Sequence, residues 1–146
     1  MQAFTQLTGL AAPIDEANVD TNQLCPTRFN KLPRGPEHAR VLFHDLRFDA
    51  HGNEKEFILN AEPWRHARIL VTDRNFGCGT SRESTVYALY EFGIRCVIAP
   101  SFGDIFASNA AKNGLLTVEL RSDAVDSIRA QLRSDPGAEV SVDLAN

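Results

Sequence analysis

Between residues 68 and 120 short apolar runs alternate with stretches of helical period, and few folds accept that order. Arg68-Ile-Leu-Val-Thr72 is rich in β-branched residues and reads as a buried strand. Val86, Leu89 and Tyr90 then recur at helical spacing within 81–92, and Gly93 stands where a helix stops. Cys96-Val-Ile-Ala99 is a second buried strand, ended by Pro100. A second helix is expected over 103–113, with Ile105, Phe106 and Ala110 on one face and Gly114 after it. A third strand follows over 115–120. Strand, helix, strand, helix, strand is the pattern of a parallel sheet with right-handed crossovers. Ser122 is expected to cap a third helix, with Val125, Ile128 and Leu132 as its apolar stripe, Asp123 in the first turn and Arg133 in the last. Pro136-Gly137 breaks it, and Val140, Val142 and Leu144 alternate in a final strand over 139–144.

The chain before residue 67 has a different texture. Pro13, Pro26, Pro33, Gly35, Pro36, Gly52 and Pro63 punctuate it, which predicts short strands and long loops, with apolar snatches at 4–10, 41–43 and 57–59. No internal repeat interrupts the 146 residues, so 1–146 is read as one domain with one core. With 43% hydrophobic and 23% charged residues the composition is that of a soluble globular protein. The net charge of -4, with no basic stripe, argues against nucleic acid as a partner. No apolar run is long enough for a membrane span, and the N-terminus lacks the basic and apolar regions of a secretory signal. Cys25, Cys78 and Cys96 are odd in number and contain no C-x-x-C pair. That argues against a disulfide framework and against a metal or cluster site built by this chain alone. The expectation is a cytoplasmic protein with reduced thiols, with Cys96 a buried strand residue.

Directly after the first of these strands comes N-F-G-C-G-T-S-R-E-S-T, residues 75–85. Ligands of parallel sheets sit outside the carboxyl ends of strands, where this motif lies. Gly77 and Gly79 allow a tight turn into a helix N-terminus, whose unpaired N–H groups attract anions. Thr80 and Ser81 add hydroxyls, and the Arg82 fork can hold a carboxylate through two parallel hydrogen bonds. A plainer use exists for the same residues: Thr80 as N-cap with Glu83 completing a capping box. A cap can also be a pocket wall, so both uses are compatible. A dinucleotide fingerprint would need glycine at Arg82, a phosphate loop would need Gly-Lys before the hydroxyl, and a nucleophile elbow would need glycine at Glu83. All four histidines, His38, His44, His51 and His66, precede Ser81. The motif therefore suits a carboxylate better than a phosphate. A hydroxyl stabilised there as alkoxide can remove a proton from carbon beside a carboxylate, if another group activates the substrate.

The N-V-D-T segment at 18–21 with Gln23 and Pro26, N-F-G-C-G-T-S-R-E at 75–83, V-I-A-P-S-F-G-D-I-F at 97–106 and N-G-L-L at 113–116 occur in order along essentially the whole chain. Together they resemble the small subunits of 3-isopropylmalate dehydratase, the swivelling-domain relatives of aconitase. The resemblance implies an α/β fold of the swivelling β/β/α kind, with the parallel sheet and crossover helices in 68–120. It implies a large-subunit partner carrying a 4Fe–4S cluster, whose iron acts as a Lewis acid on the departing hydroxyl. The implied reaction dehydrates a 2-hydroxy dicarboxylate and rehydrates the neighbouring carbon, with 2-isopropylmalate to 3-isopropylmalate in leucine biosynthesis as the leading case. Carried over from the family motif G-S-S-R-E, Thr80 is the base, and Ser81 and Arg82 hold substrate. A further family arginine, in the loop after N-V-D-T, points to Arg34. The chain departs from the family at Thr80 (usually Ser), Ser84 (usually His), Asn22 (usually Asp) and the Lys31–Pro36 loop (usually T-R-T-G-F-like). These departures keep open related substrates such as methylmalate, dimethylmalate and homoaconitate, and an inactive dicarboxylate-binding or assembly module. Family members commonly continue past a point like Asn146, so a shortened C-terminus is expected.

Three residues carry plain structural expectations. Asp20 and Thr21 suit an Asx-type turn, and Asp104 suits the first turn of a helix. Trp64 and the phenylalanines are expected in the core or at an interface.

Overall fold

The runs at 69–71 and 96–99 are buried along their whole length, as interior strands covered on both faces must be. A computed structural model describes residues 6–79 and 82–143. In chain order the elements are β1 (Gln6–Pro13), the one-turn helices α1 (Thr21–Leu24), α2 (His38–Val41) and α3 (His44–Arg47), β2 (Ile69–Val71), α4 (Glu83–Phe92), β3 (Cys96–Ala99), α5 (Asp104–Lys112), β4 (Leu116–Glu119), α6 (Ser122–Ser134) and β5 (Glu139–Asp143). Short 3-10 turns at Thr27–Phe29, Ile58–Asn60 and Trp64–His66 complete the set.

The strands form one sheet in the order β4-β3-β2-β1-β5. β1 to β4 are mutually parallel, with Ile69 opposite both Ala11 and Cys96, and Cys96 opposite Leu116. β5 runs antiparallel to β1 at the other edge, Gln6 facing Asp143. The two-residue period of a strand sends alternate side chains to opposite faces. Ala12, Leu70, Val97 and Ala99 pack with α4, α5 and the irregular segment before β2. Ala11, Ile69, Val71, Cys96 and Ile98 pack with Val125 and Leu132 of α6 on the other face. Burial pushes the Cys96 thiol up to about 12, so it serves as a small hydrophobe in β3, as expected.

The α/β alternation of 68–120 is as the periodicity predicts, but several boundaries differ. The helix expected from residue 81 starts at Glu83, with Arg82 as N-cap and no side-chain capping bond. Arg82 is extended (φ -120, ψ 161), so the helical turn begins only after it, and the capping role expected of Thr80 falls outside the described residues. Ser122 is likewise the first helical residue rather than the cap, because Arg121 takes the extended N-cap conformation. The last strand is described as far as Asp143, and Leu144 lies outside the described residues.

The larger correction concerns the chain before residue 67. The segments at 41–43 and 57–59, expected as strands, form helical turns and bends. Their shape is set by side chains bonding to main chain, not by a ladder. Arg47, 8% exposed, donates from its guanidinium to Asn60 Oδ1 (3.0 Å), Ala39 O (2.8 Å) and Leu42 O (3.0 Å). The Asn60 amide returns bonds to Arg47 O (2.8 Å) and Lys55 O (3.0 Å). Burial lowers the pKa of Arg47 to about 10, which leaves it charged at neutral pH. Trp64, as expected, packs against the core from its margin.

Candidate active site at the carboxyl ends of the strands

β1, β2 and β3 end side by side, and the chain leaves each in a loop on the same end of the sheet. Those loops contain the N-V-D-T, N-F-G-C-G and S-F-G-D segments, so the parallel topology brings together motifs far apart in sequence.

Backbone bonds stitch the loops. Gly77 N donates to Val19 O (2.7 Å), and Thr21 N donates to Cys78 O (3.0 Å), closing a parallel bridge between Asp20 and Cys78. On the other side Phe76 N donates to Ser101 O (3.1 Å) and Gly103 N to Phe76 O (2.9 Å). Asn75 is held twice: its N–H donates to Ser101 Oγ (2.8 Å) and its side-chain amide donates to Asn18 Oδ1 (3.0 Å). Asn18 and Asn75 both adopt left-handed backbone (φ 58 and 60), which asparagine tolerates better than most residues.

Glycine is required at two points. Gly77 has φ 77, and a Cβ there would stand 2.4 Å from Cγ of Phe106. A Cβ on Gly103 would stand 2.5 Å from the carbonyl oxygen of Gly77. The two backbones therefore cross in direct contact. Phe76, Phe102 and Phe106 lock this crossing from beneath, with Phe76 edge-on to both partners at 6.4 Å and 5.5 Å. Such pairs contribute about 0.5–1.5 kcal/mol each beyond buried area. The loop is thus a rigid shelf on the core.

Asp20 caps α1: its Oδ1 accepts from Gln23 N (2.8 Å), while the Gln23 side chain accepts from Asp20 N (2.9 Å). This reciprocal capping box bears out the structural role expected for Asp20. Asp104, in the first turn of α5, is likewise as expected.

Of the site residues read from sequence, Gly77 and Gly79 belong to the shelf, both with positive φ (77 and 99). Arg82 follows, exposed, at the N-terminus of α4. It lines a recess of ≈ 30 Å³ together with Thr21, Asn22, Cys25, Thr27, Asn30 and Thr85. Thr80 and Ser81 lie outside the described residues. Arg34, from the 31–36 loop, lies against another part of α4: its guanidinium stacks over Tyr87 at 4.5 Å and Tyr90 at 5.5 Å, and it does not line the recess.

The recess walls were not singled out by sequence reasoning beyond Thr21 and Asn22. Asn30 and Thr27 come from a helical turn that no periodicity announced. Ser84, where the family usually has histidine, donates to Asn30 Oδ1 (3.0 Å) and so ties the recess floor to α4. Burial pushes the Cys25 thiol up, with the Ser84 hydroxyl partly opposing, which leaves it a neutral wall and a poor metal ligand. Among the described residues no three His, Cys, Asp or Glu side chains converge as a metal site would require. Nor is any described helix long and apolar enough to cross a membrane. With room for about one water, the recess is a polar wall among the described residues rather than an enclosing pocket.

Comparison with known proteins defines the class. The aconitase C-terminal domain family model matches residues 1–123. The 3-isopropylmalate dehydratase small subunit of Gluconobacter oxydans is 48% identical over 145 residues, covering 99% of this chain and 70% of that protein. The one from Dinoroseobacter shibae is 47% identical over 147 residues, covering 100% and 73%. Among solved structures, the 3-isopropylmalate dehydratase of Methanocaldococcus jannaschii superposes with a TM-score of 0.69 at 28% identity, over 96% of this chain and 72% of that one. The chain belongs to the aconitase C-terminal domain family, among its 3-isopropylmalate dehydratase small subunits. The family resemblance and the α/β fold it implied are both borne out.

Proposed function

We propose that this chain is the substrate-holding subunit of a hydro-lyase that isomerises 2-isopropylmalate to 3-isopropylmalate in leucine biosynthesis. The observation that carries the reading is the stitched shelf at residues 75–79, which leads into Arg82 at the helix N-terminus beside a polar recess. A dicarboxylate needs charge-assisted donors at fixed positions, and a rigid backbone carrying a guanidinium and helix N–H groups supplies them. A branched dicarboxylate is far larger than the recess, so a second wall must come from a partner. We take that partner to be the large subunit, and the cytoplasm to be the compartment.

A 4Fe–4S cluster on the large subunit would supply Lewis-acid chemistry at the departing hydroxyl. This chain's part is separate. Thr80 takes the proton from the carbon beside a carboxylate, and Ser81 and Arg82 hold that carboxylate in place. The threonine hydroxyl keeps the function of the family's serine, with its rotation more restricted by the methyl group. Arg34 is retained as the second arginine, delivered by the loop whose near end, Asn30, lines the recess.

The test is an anaerobic assay of the complex with the large subunit from the same genome, following alkene absorbance after adding 2-isopropylmalate. Thr80→Ala should abolish turnover while the complex still forms. Arg82→Lys should raise KM strongly, because a point charge replaces the two-pronged fork. An unchanged KM in Arg82→Lys removes that role. A well-formed complex inactive on 2-isopropylmalate but active on methylmalate or homoaconitate moves the substrate and keeps the chemistry.

A further inference from the structure

At the opposite end of the sheet from the shelf lies a cleft of ≈ 330 Å³, lined by Gln6, Leu7, Thr8, Arg68, Tyr90, Arg95 and Gly114. Two arginines meet there. They immediately precede β2 and β3, and Arg95 N donates to Arg68 O (2.8 Å), so they are neighbours across the sheet. Side-by-side like charges are unfavourable unless something of opposite sign joins them. Among the described residues no carboxylate lies within ion-pair distance of either guanidinium, although Arg28, Arg65, Arg121, Arg129 and Arg133 all have one.

The two side chains are held differently. The Arg95 Cζ sits over the Tyr90 ring, 3.6 Å from its centroid, and Nη1 donates to Tyr90 O (2.7 Å) and Ile94 O (3.1 Å). These contacts leave Nη2 and Nε without a side-chain or carbonyl acceptor among the described residues. The Arg68 guanidinium makes no hydrogen bond or ion pair among them at all. Its aliphatic stem is nevertheless seated: Gly9, in the middle of β1, has ordinary backbone, but a Cβ there would stand 3.0 Å from the Arg68 Cβ and 3.3 Å from its Cδ. A glycine inside a strand weakens it and commonly marks a close approach. Here it lets Arg68 lie against the strand, beside a cleft that Gln6 and Thr8 also line, with the Thr8 hydroxyl bonded to Ser141 Oγ (2.6 Å).

We propose that this cleft is a binding site for a small carboxylate or phosphate anion, held between the Arg68 and Arg95 guanidinium groups. Two planar forks, one already stacked in place, suit the paired oxygens of either group. The volume suits a small metabolite.

The test is an NMR titration of the full chain at low ionic strength with inorganic phosphate and, separately, succinate. The expected result is saturable shifts of the Gly9, Arg95 and Gly114 amides. Arg68→Gln should weaken affinity by roughly tenfold or more with an unchanged spectrum elsewhere, since a charge-assisted contact is lost. Saturation by phosphate alone identifies a phosphoryl ligand, and saturation by succinate alone a carboxylate. Arg95→Gln, which also uncaps α4, is judged only if its circular dichroism matches the wild type. Shifts that rise linearly with either salt, or binding that Arg68→Gln leaves intact, overturn the proposal.

Discussion

The segment from 14 to 66 and the segment from 68 to 120 are built on different rules. In the second, backbone groups find partners in ladders and helices, and apolar side chains recur at the matching period. In the first they find partners in Arg47, Asn60, Asp49 and Asp20, one turn at a time. The regular part supplies the sheet whose strand ends define the site. The irregular part supplies most of the recess wall, from Thr21 to Asn30. A site at their junction depends on both, and the two should fail in different ways.

The largest effect is expected where they cross. Gly77→Ala must place a methyl group into Phe106 at positive φ, so it should cost about 3 kcal/mol or more and abolish turnover in the complex. A melting temperature within a degree of wild type would mean that the shelf yields and is not clamped. Next is Arg47→Met, which leaves Asn60 Oδ1, Ala39 O and Leu42 O short of a donor. It should cost about 2–3 kcal/mol in urea unfolding, with the helical circular dichroism of α4 to α6 retained before the transition. Loss of all helical signal at once would erase the distinction between the two parts.

A third test uses pH. His38, fully buried between α2 and α4, has its pKa lowered by burial. The unfolded chain therefore takes up a proton more readily than the native one. Stability should be whole above about pH 6.5 and fall as the pH drops below it, by at most about 1.4 kcal/mol per unit, until the lower native pKa is reached. His38→Phe should flatten that slope, as read by urea midpoints between pH 7 and pH 5. The smallest effect belongs to Arg28, whose salt bridge with Asp45 lies in water with both partners more than half exposed. Arg28 holds the Asp45 carboxyl below its usual pKa, so what the bridge adds is present at neutral pH and lost on acidification through that lowered value. Arg28→Ala should leave the neutral-pH melting curve unchanged within error.

How much was legible in sequence follows the same division. Ile69, Val71, Cys96 and Ile98 announced two strands because residues buried on both faces leave no room for polar ones. Gly77 announced a tight turn, though not that its carbonyl would lie against Gly103. Asn60 and Arg47 announced nothing, since a polar residue that bonds to main chain thirteen positions away has no local signature. The order of motifs along the chain pointed to Arg34, but nothing local announced that its guanidinium would stack on Tyr87, outside the lining of the recess.

By itself, then, the sequence determined the alternating elements of 68–120, the glycine turn after β2, and the family to which the chain belongs. All three rest on local patterns: side-chain period, backbone permissiveness and the order of motifs along the chain. Only the tertiary structure decided which wall faces Arg82, which glycine clears which ring, and that Arg68 and Arg95 stand together at the far end of the sheet. Those are distances between residues remote in sequence, and they are set by strand order and register, which local patterns do not encode.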